Sequence, residues 1–180
     1  CDVGCKKIAY LGMEYPAEAV LPTFHVEAHL GYVKALFDSN RGNDKDLFEK
    51  FLTGKRTGNV DTNCVQQFLQ NHPDVDGICC VNDTLAVVVI RELERMGKKV
   101  PRDVAVAGSG NYSKYLGFDL DYITTSKGLV NGLAEEACKP IQAKRNGENI
   151  PCGLKVAVKS ELSSGRSTAY NRNSGVGISE

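Results

Sequence analysis

The stretch GICCVNDTLAVVVIRELERMGKKVPRDVAVAGSG, residues 77–110, contains the pattern that decides the fold. Two short apolar runs, Ile78–Val81 and Val104–Ala107, stand at either end of a segment whose helical rhythm continues through RELERMGKK. Asp83 or Thr84 is predicted to cap this helix at its start, and Gly97 is predicted to end it. The stretch therefore predicts a strand, a helix and a second strand.

The residues before this stretch repeat the same alternation. KKIAYLG, from Lys6 to Gly12, has the character of a strand, and apolar residues then recur at Val26, Leu30 and Val33, which is helical spacing. LFEKFLTG is a further candidate strand, and Asp61 is placed to cap the helix that follows it. The order β-α-β-α-β-α-β predicts an α/β fold in which a parallel sheet is sandwiched by helices.

Polar residues follow two of the predicted strands. Ligands of parallel sheets gather at the carboxyl ends of the strands, so Asn82-Asp83 and Ser109 to Asn111 are predicted to face one cleft. The amide of Asn82 suits sugar hydroxyls, but an asparagine before a helix is equally suited to cap its backbone. Asp83 is better explained as a cap, because a carboxylate is favoured at the amino end of a helix.

The composition excludes several classes of protein. The 180 residues contain 22 basic and 22 acidic side chains, so no overall charge attracts nucleic acid or anionic lipid to this chain. No apolar run reaches the length of a membrane span, and the start, CDVGCKK, lacks the features of a signal peptide. Seven cysteines without a Cys-x-x-Cys pair indicate reduced, packed thiols. We expect a cytoplasmic protein, and a start without Met suggests that the chain is cut from a longer one.

The pattern changes after Asn111. YSKYLGFDLDYITTS is rich in aromatic residues, the segment after it predicts a helix interrupted by Pro140, and PCGLKVAVKSEL predicts a last strand. Residues 169–180 have almost nothing to bury and are expected to form a loose tail.

Several segments of the sequence resemble those of a known family. GCKKIAYLG, GYVKAL, the long segment from Val75 to Gly108, ITTS, NGLAEEA and GRST are similar to the effector-binding core of LacI-family transcription regulators. The resemblance covers residues 4–168 and implies a type I periplasmic-binding-protein-like fold with two subdomains around a cleft. Residues 4–120 and 152–168 would form the C-terminal subdomain, and residues 121–151 would cross to the N-terminal subdomain, most of which is absent. The crossing segment would then lack its usual cover.

The resemblance also implies where a small effector would bind. The family's ligand-contacting positions fall on Ala28, Asn82 and Gly110, and only Asn82 matches the family's pattern. Neighbouring His29 and Asn111 are the side chains that would substitute at the other two positions. The expected ligand-binding residues are therefore Asn82, Asn111 and His29.

The helix after Asp83 is the expected dimer contact. AVVVI is apolar right round a helix, so a second surface should cover part of it, although the same run also favours a β-strand locally. The resemblance adds the segment around Leu116 and Phe118 to this contact. Together the expected interface residues are Val87, Ile90, Arg91, Leu116 and Phe118.

Other patterns point to ordinary structure rather than chemistry. His25 and His29 stand four apart on a predicted helix, but without a third ligand a surface helix explains them better than a metal ion. Cys79 and Cys80 lie in an apolar strand, where packing explains them better than redox chemistry. No catalytic constellation is visible, so we expect neither an enzyme nor a cofactor or metal site.

Three functions follow from these observations. The first is the ligand-sensing and dimerisation domain of a LacI-type regulator, in which a sugar-like effector alters DNA binding by an absent N-terminal domain and no membrane is involved. The second is a solute-binding protein of a sugar transport system, which shares the fold. The third is a degenerate sensor that acts only as a dimerisation module, consistent with Ala28 and Gly110 at the family's ligand positions.

Overall fold

A computed structural model describes residues 3–14, 23–40, 48–52, 60–111, 117, 119, 121–127, 129–153, 156, 158–171 and 176–177. The first part of the chain forms β1 (Ile8–Glu14), α1 (Thr23–Asp38), β2 (Phe48–Leu52), α2 (Thr62–Asn71), β3 (Gly77–Cys80), α3 (Asp83–Arg95) and β4 (Ala105–Ala107). The second part forms β5 (Thr125–Lys127), α4 (Leu129–Arg145), β6 (Glu161–Ser163), a 3-10 turn at Arg166–Thr168, β7 (Tyr170–Asn171) and β8 (Val176–Gly177).

The main sheet contains four parallel strands in the order β2-β1-β3-β4. The register pairs Ile8 with Gly77 and Gly77 with Ala105, so the strands begin at nearly the same level. All carboxyl ends of parallel strands therefore meet at one edge of the sheet. The predicted parallel α/β architecture is confirmed.

Helices cover both faces of this sheet. Because crossovers between parallel strands are right-handed, the step from β1 outward to β2 places α1 on one face, and the two steps back through β3 to β4 place α2 and α3 on the other. Gln66 of α2 donates a hydrogen bond to Glu92 of α3 over 2.7 Å, which joins the two helices. The predicted cap of α2 is confirmed, since Asp61 accepts a hydrogen bond from the backbone of Asn63.

The core lies between the sheet and these helices. Its largest fully buried apolar side chains come from strands, helices and the segment before β5, and they are Leu11, Val65, Ile78, Leu85, Val89, Ile90, Leu93, Val104, Val106 and Ile123. The helical face of α3 packs inward all along its length, which explains why AVVVI forms a helix rather than a strand. Burial against two layers outweighs the local β preference of its branched residues.

The chain leaves the main sheet after β4 and returns at the 3-10 turn. Thr124 makes a parallel bridge to Ala107 at the edge of β4, while Ser167 donates its hydroxyl proton to the carbonyl of Val106 over 2.6 Å. Ser167 Oγ also accepts from the backbone N–H of Thr124, and Thr124 Oγ1 lies 2.6 Å from Thr168 Oγ1. A buried set of hydroxyls therefore ties the outgoing and returning segments to the same strand.

The segment between these two points differs from the prediction in two ways. Pro140 does not interrupt α4, which continues from Leu129 to Arg145 with the proline inside it. Ile123 is buried in the main core instead of losing its cover, because its neighbour Thr124 still bridges to Ala107 of β4. Farther along, Leu133 and Ile141 of α4 are exposed as expected for an uncovered helix.

Four residues of the predicted tail form a short antiparallel pair of strands. Tyr170 and Asn171 pair antiparallel with Gly177 and Val176. These four residues therefore do not behave as the loose tail expected for 169–180, because backbone pairing needs no apolar side chains.

Candidate functional site

Three loops meet at the carboxyl edge of the main sheet. Met13 lies at the end of β1, Asn82 directly follows β3, and Ser109 to Asn111 follow β4. The backbone N–H of Asp83 donates to the carbonyl of Ser109 over 3.0 Å, so the two corners are joined directly. The prediction that these corners share one rim is confirmed by this contact.

Asn82, rather than Asp83 or Thr84, caps α3. Its Oδ1 accepts a hydrogen bond from the backbone N–H of Leu85 over 2.9 Å, and its Nδ2 donates to the sulfur of Met13 over 3.1 Å. The residue has extended backbone, as a cap requires. The amide that was expected to contact ligand is therefore already used at both ends by the protein.

Asp83 occupies the first turn of α3 and is fully buried. Its Oδ1 accepts a hydrogen bond from the hydroxyl of Thr125 over 2.7 Å. Gly108 lies against the same carboxylate, since a Cβ built there would stand 2.3 Å from Asp83 Oδ1. Asp83 thus connects α3 to the end of β4 and to β5, which is a structural role different from the capping role predicted for it.

Asn111 ends the loop after β4 in a left-handed conformation, with φ of 60°. Its backbone N–H donates to Thr125 Oγ1 over 3.2 Å. Its side-chain Oδ1 is buried and has no hydrogen-bond partner within the described part of the chain. A buried acceptor without a donor is costly, so this atom is a natural place for a ligand hydroxyl or amine.

Thr125 and Ser126 are site residues that the sequence reasoning did not single out. Thr125 Oγ1 bridges Asn111 and Asp83, while Ser126 Oγ lies 2.7 Å from Ser109 Oγ. Their motif, ITTS, was visible as part of the family resemblance, but nothing local in it shows that β5 lies beside the loop after β4. The contact spans 14 to 42 residues and depends on the tertiary fold.

His29 lies at a different place from the two asparagines. It stacks on Tyr10 in the middle of β1, with ring centroids 5.6 Å apart, and Tyr10 in turn packs on Tyr32 of α1. An apolar groove of about 290 Å³ opens beside these rings, lined by Ile8, Tyr10, Ala28, Tyr32, Ala35, Leu36 and Cys79. Burial, helped by the nearby Cys80 and Cys79 thiols, raises the pKa of Tyr10 to about 12.

The expected interface residues divide into three groups. Val87 is 4% exposed and Ile90 is fully buried, so both side chains are already covered within one chain. These two side chains therefore offer little surface to a second subunit, and the rest of the expected contact stays a prediction. Arg91 is exposed and remains accessible. Leu116 and Phe118 lie outside the described residues.

The described residues contain neither a metal-binding cluster nor a membrane-spanning helix. No group of three or more His, Cys, Asp or Glu side chains is placed there to hold a metal ion. The helices in the same part are all too short or too polar to cross a bilayer. The side chain of His25 lies outside the described residues.

Comparison with known proteins places this fold in a family. The sequence profile of the periplasmic binding protein-like domain matches residues 1–168. The chain belongs to that family.

The relatives agree with the resemblance to LacI-family regulators and confirm it. The HTH-type transcriptional regulator GntR of Escherichia coli K12 is 30% identical over 105 residues, which is 58% of this chain and 29% of that protein. The HTH-type transcriptional regulator CelR of Thermobifida fusca is 31% identical over 83 residues, 46% of this chain and 24% of that protein. The chain therefore spans less than a third of the length of these curated relatives.

Solved structures show the same fold. The transcriptional regulator CelR in complex with cellobiose superimposes with a TM-score of 0.72 and 22% identity, covering 92% of this chain and 47% of that one. A LacI-family regulator from Arthrobacter sp. FB24 in complex with lactose gives a TM-score of 0.69 and 23% identity, covering 93% and 59%. At these identities the similarity establishes the fold alone.

Proposed function

We propose that this chain is the effector-sensing part of a LacI-type transcriptional regulator and that its effector is a neutral, sugar-like molecule. Residues 4–120 and 152–168 form the sensing lobe in this proposal, and residues 121–151 cross to a second lobe. DNA binding belongs to a domain outside this chain, in line with the regulators of which the chain matches less than a third.

The observation that carries the proposal is the buried, unsatisfied Oδ1 of Asn111 at the edge where three strand ends meet. In the same corner the hydroxyl of Thr125 accepts from the backbone N–H of Asn111 and the hydroxyls of Ser109 and Ser126 lie 2.7 Å apart, while the carboxylate of Asp83 is buried and already accepts a hydrogen bond. A site built from amide and hydroxyl groups suits a ligand that offers hydroxyls rather than charge. Cellobiose and lactose, the ligands in two similar structures, are of this kind.

The same contacts connect the proposed ligand site at Asn111 to the start of α3. Thr125 Oγ1 accepts from Asn111 N–H and donates to Asp83 in the first turn of α3. An effector that moves Asn111 therefore changes the bond that holds the start of α3. It shifts the equilibrium only if it binds two arrangements of this corner with different affinity.

Calorimetry against neutral saccharides, sugar phosphates and nucleobases tests the proposal. We expect at least one neutral saccharide to bind and Asn111→Gly to weaken its binding at least about ten-fold, because a ligand donor loses its acceptor. Glycine tolerates the left-handed conformation, so this variant removes the amide without straining the backbone. Asn63→Ala, on exposed α2 surface, is the control and should bind as the unchanged chain does.

A second function is favoured by one observation. Asn82 uses both ends of its amide for Leu85 and Met13, which leaves fewer groups for a ligand. This supports a sensor that has lost its effector and serves in dimerisation alone. Binding of none of the compounds would favour it over the first proposal.

A further inference from the structure

The sequence contains two Asn-Gly pairs, one at each end of α4. Asn131–Gly132 lies near the start of the helix, and Asn146–Gly147 directly follows its last residue, Arg145. An asparagine that precedes glycine is exposed to attack from within the chain, because glycine has no side chain to keep its backbone nitrogen away from the asparagine amide. The same reactive dipeptide therefore occurs in two structural settings.

The reaction at such a pair needs only water and hydroxide. The backbone nitrogen of the glycine gives its proton to hydroxide and forms a bond to the side-chain carbonyl carbon of the asparagine. The carbon–nitrogen bond of the side-chain amide breaks, and its nitrogen takes a proton from water and leaves as ammonia. The resulting cyclic succinimide is then hydrolysed at one of its two carbonyl groups, which leaves either aspartate or isoaspartate.

The turn that contains Asn146 is a Schellman motif at the protein surface. Gly147, with φ of 80°, donates its N–H to the carbonyl of Lys144 over 3.1 Å, and Glu148 donates to the carbonyl of Ala143 over 3.0 Å. Residues 144–148 are all exposed. Because a terminal turn at the surface opens at almost no cost in free energy, the nitrogen of Gly147 is released from its hydrogen bond frequently.

The surroundings of Asn146 favour the attack as well. Gln142, Arg145 and Asn146 line a polar hollow of about 330 Å³ that is open to solvent. Lys144 and Arg145 place positive charge in the last turn of the helix. A nearby cation stabilises the negative charge that develops on the oxygen of the attacked amide. Asn146 is therefore accessible to hydroxide and lies in a favourable electrostatic environment.

The pair at the start of α4 is held more firmly. Gly132 lies within the helix, and a Cβ built on it would stand 2.7 Å from Val158 Cγ1, so the returning chain packs directly against its backbone. Rotation of the peptide between Asn131 and Gly132 must break this contact together with the surrounding helical hydrogen bonds. The same attack is therefore slower at Asn131.

We propose that Asn146 is a site of spontaneous deamidation and that the fold of α4 directs the reaction to Asn146 in preference to Asn131. The product adds one negative charge to a chain whose formal net charge is zero. The new carboxylate stands at the carboxyl end of a helix, where negative charge is unfavourable. Isoaspartate also lengthens the main chain within the Schellman motif, so the reaction loosens the end of α4.

Peptide mass spectrometry of the full chain, aged at neutral pH, tests the proposal. Trypsin cuts after Lys127 and Arg145, which puts the two pairs on different peptides, and digestion at mildly acidic pH limits further reaction. We expect Asn146 to be converted at least about ten-fold faster than Asn131 in the folded chain. In urea, where neither pair is held, the two rates should become similar.

Matched variants and hydrogen exchange complete the test. Asn146→Gln should remove most of the acidic form seen on isoelectric focusing, because glutamine would have to close a larger ring, whereas Asn131→Gln should leave that form unchanged. The backbone amides of Gly147 and Glu148 should exchange at least about ten-fold faster than that of Leu133, relative to the unfolded chain.

Three results would overturn the proposal. The first is equal conversion of the two asparagines in the folded chain, and the second is faster conversion of Asn131. The third is an Asn146 that stays intact in the folded chain over a period in which the chain unfolded in urea reacts.

Discussion

The carboxylate of Asp83 and the hydroxyl of Thr125 are joined by a buried hydrogen bond of 2.7 Å between residues 42 apart in the chain. The bond connects the first turn of α3 to the first residue of β5. Because Asp83 is fully buried, this donor and the helix amino end both contribute to stabilising its carboxylate.

Removal of the hydroxyl should therefore be costly. Thr125→Val keeps the shape of the side chain and removes this donor from the buried carboxylate of Asp83, so we expect the free energy of unfolding to fall by about 1–3 kcal/mol. Urea denaturation measures the change. Thr62→Val, at an exposed helix position, is the control and should alter stability by less than about 0.5 kcal/mol. Equal effects of the two variants would contradict a special role for Thr125.

Replacing Gly108 and Gly31 with alanine should change the free energy of unfolding in opposite directions. In Gly108→Ala the new Cβ would lie 2.3 Å from Asp83 Oδ1 and 3.1 Å from its Cα, and the backbone atom cannot move aside, so we expect a loss of about 1–3 kcal/mol. Gly31→Ala adds a methyl group that meets no neighbour among the described residues, at a position within helix α1, so we expect the free energy of unfolding to rise by about 0.5–1 kcal/mol. Thermal unfolding of both variants at low protein concentration gives the comparison. A destabilised Gly31→Ala would show that the space is occupied.

The contact between α2 and α3 depends on a buried acid. Glu92 accepts from Gln66 over 2.7 Å and from Arg95 over 2.5 Å. Glu92→Ala removes both contacts and leaves a small cavity, so a loss of about 1–3 kcal/mol is expected in urea denaturation. Glu94→Ala, an exposed acid on the same helix, should leave stability nearly unchanged.

Stability should fall at alkaline pH because of the β3 thiols. Burial, with the nearby Cys5 thiol as a smaller cause, raises the pKa of Cys79 from 9.0 to about 11. The folded state therefore favours the neutral thiol. This contribution is fully present below about pH 9 and is lost as the pH rises through about 11. Burial raises the pKa of Cys80 well above its ordinary value as well, which extends the loss to higher pH.

Unfolding free energies measured from pH 8 to 11 test this dependence. Cys79→Ala should flatten the decline over that interval. Cys138→Ala, which replaces an exposed thiol on α4, should leave the slope unchanged. A decline that persists unaltered in Cys79→Ala would place its origin in other groups.

The strands and helices up to β4 could be predicted from the sequence because their signals are local. The capping position of Asp61, the glycine after α3 and the alternation of apolar runs need only neighbouring residues. The exchange of roles between Asn82 and Asp83 could not be predicted in this way. Both residues suit a helix amino end, and only the approach of Thr125 and Gly108 determines that Asp83 turns inward while Asn82 caps.

The part that Val87 and Ile90 play in the expected dimer contact depends on the tertiary fold in a similar way. Val87 and Ile90 were assigned to a second subunit because α3 is apolar all round, but the chain itself covers both of them. Hydrophobic periodicity reports how many faces are buried and does not report what buries them. Val26 and Leu30 of α1 were visible as helical spacing, yet only the tertiary structure shows that they are exposed while Tyr32 and Leu36 form the buried face of the helix.

The hydroxyl contacts of Thr124, Ser167 and Thr168 make segment 128–160 separable from the main sheet. They hold the chain before and after segment 128–160 against β4. Thr125 also pairs directly with Ser163, closer to that segment. Because the two ends of this segment lie next to each other, we expect that the segment can be deleted and replaced by a short glycine turn at little cost in loop-closure entropy. The shortened protein should keep the four-stranded sheet and the loop that carries Asn111.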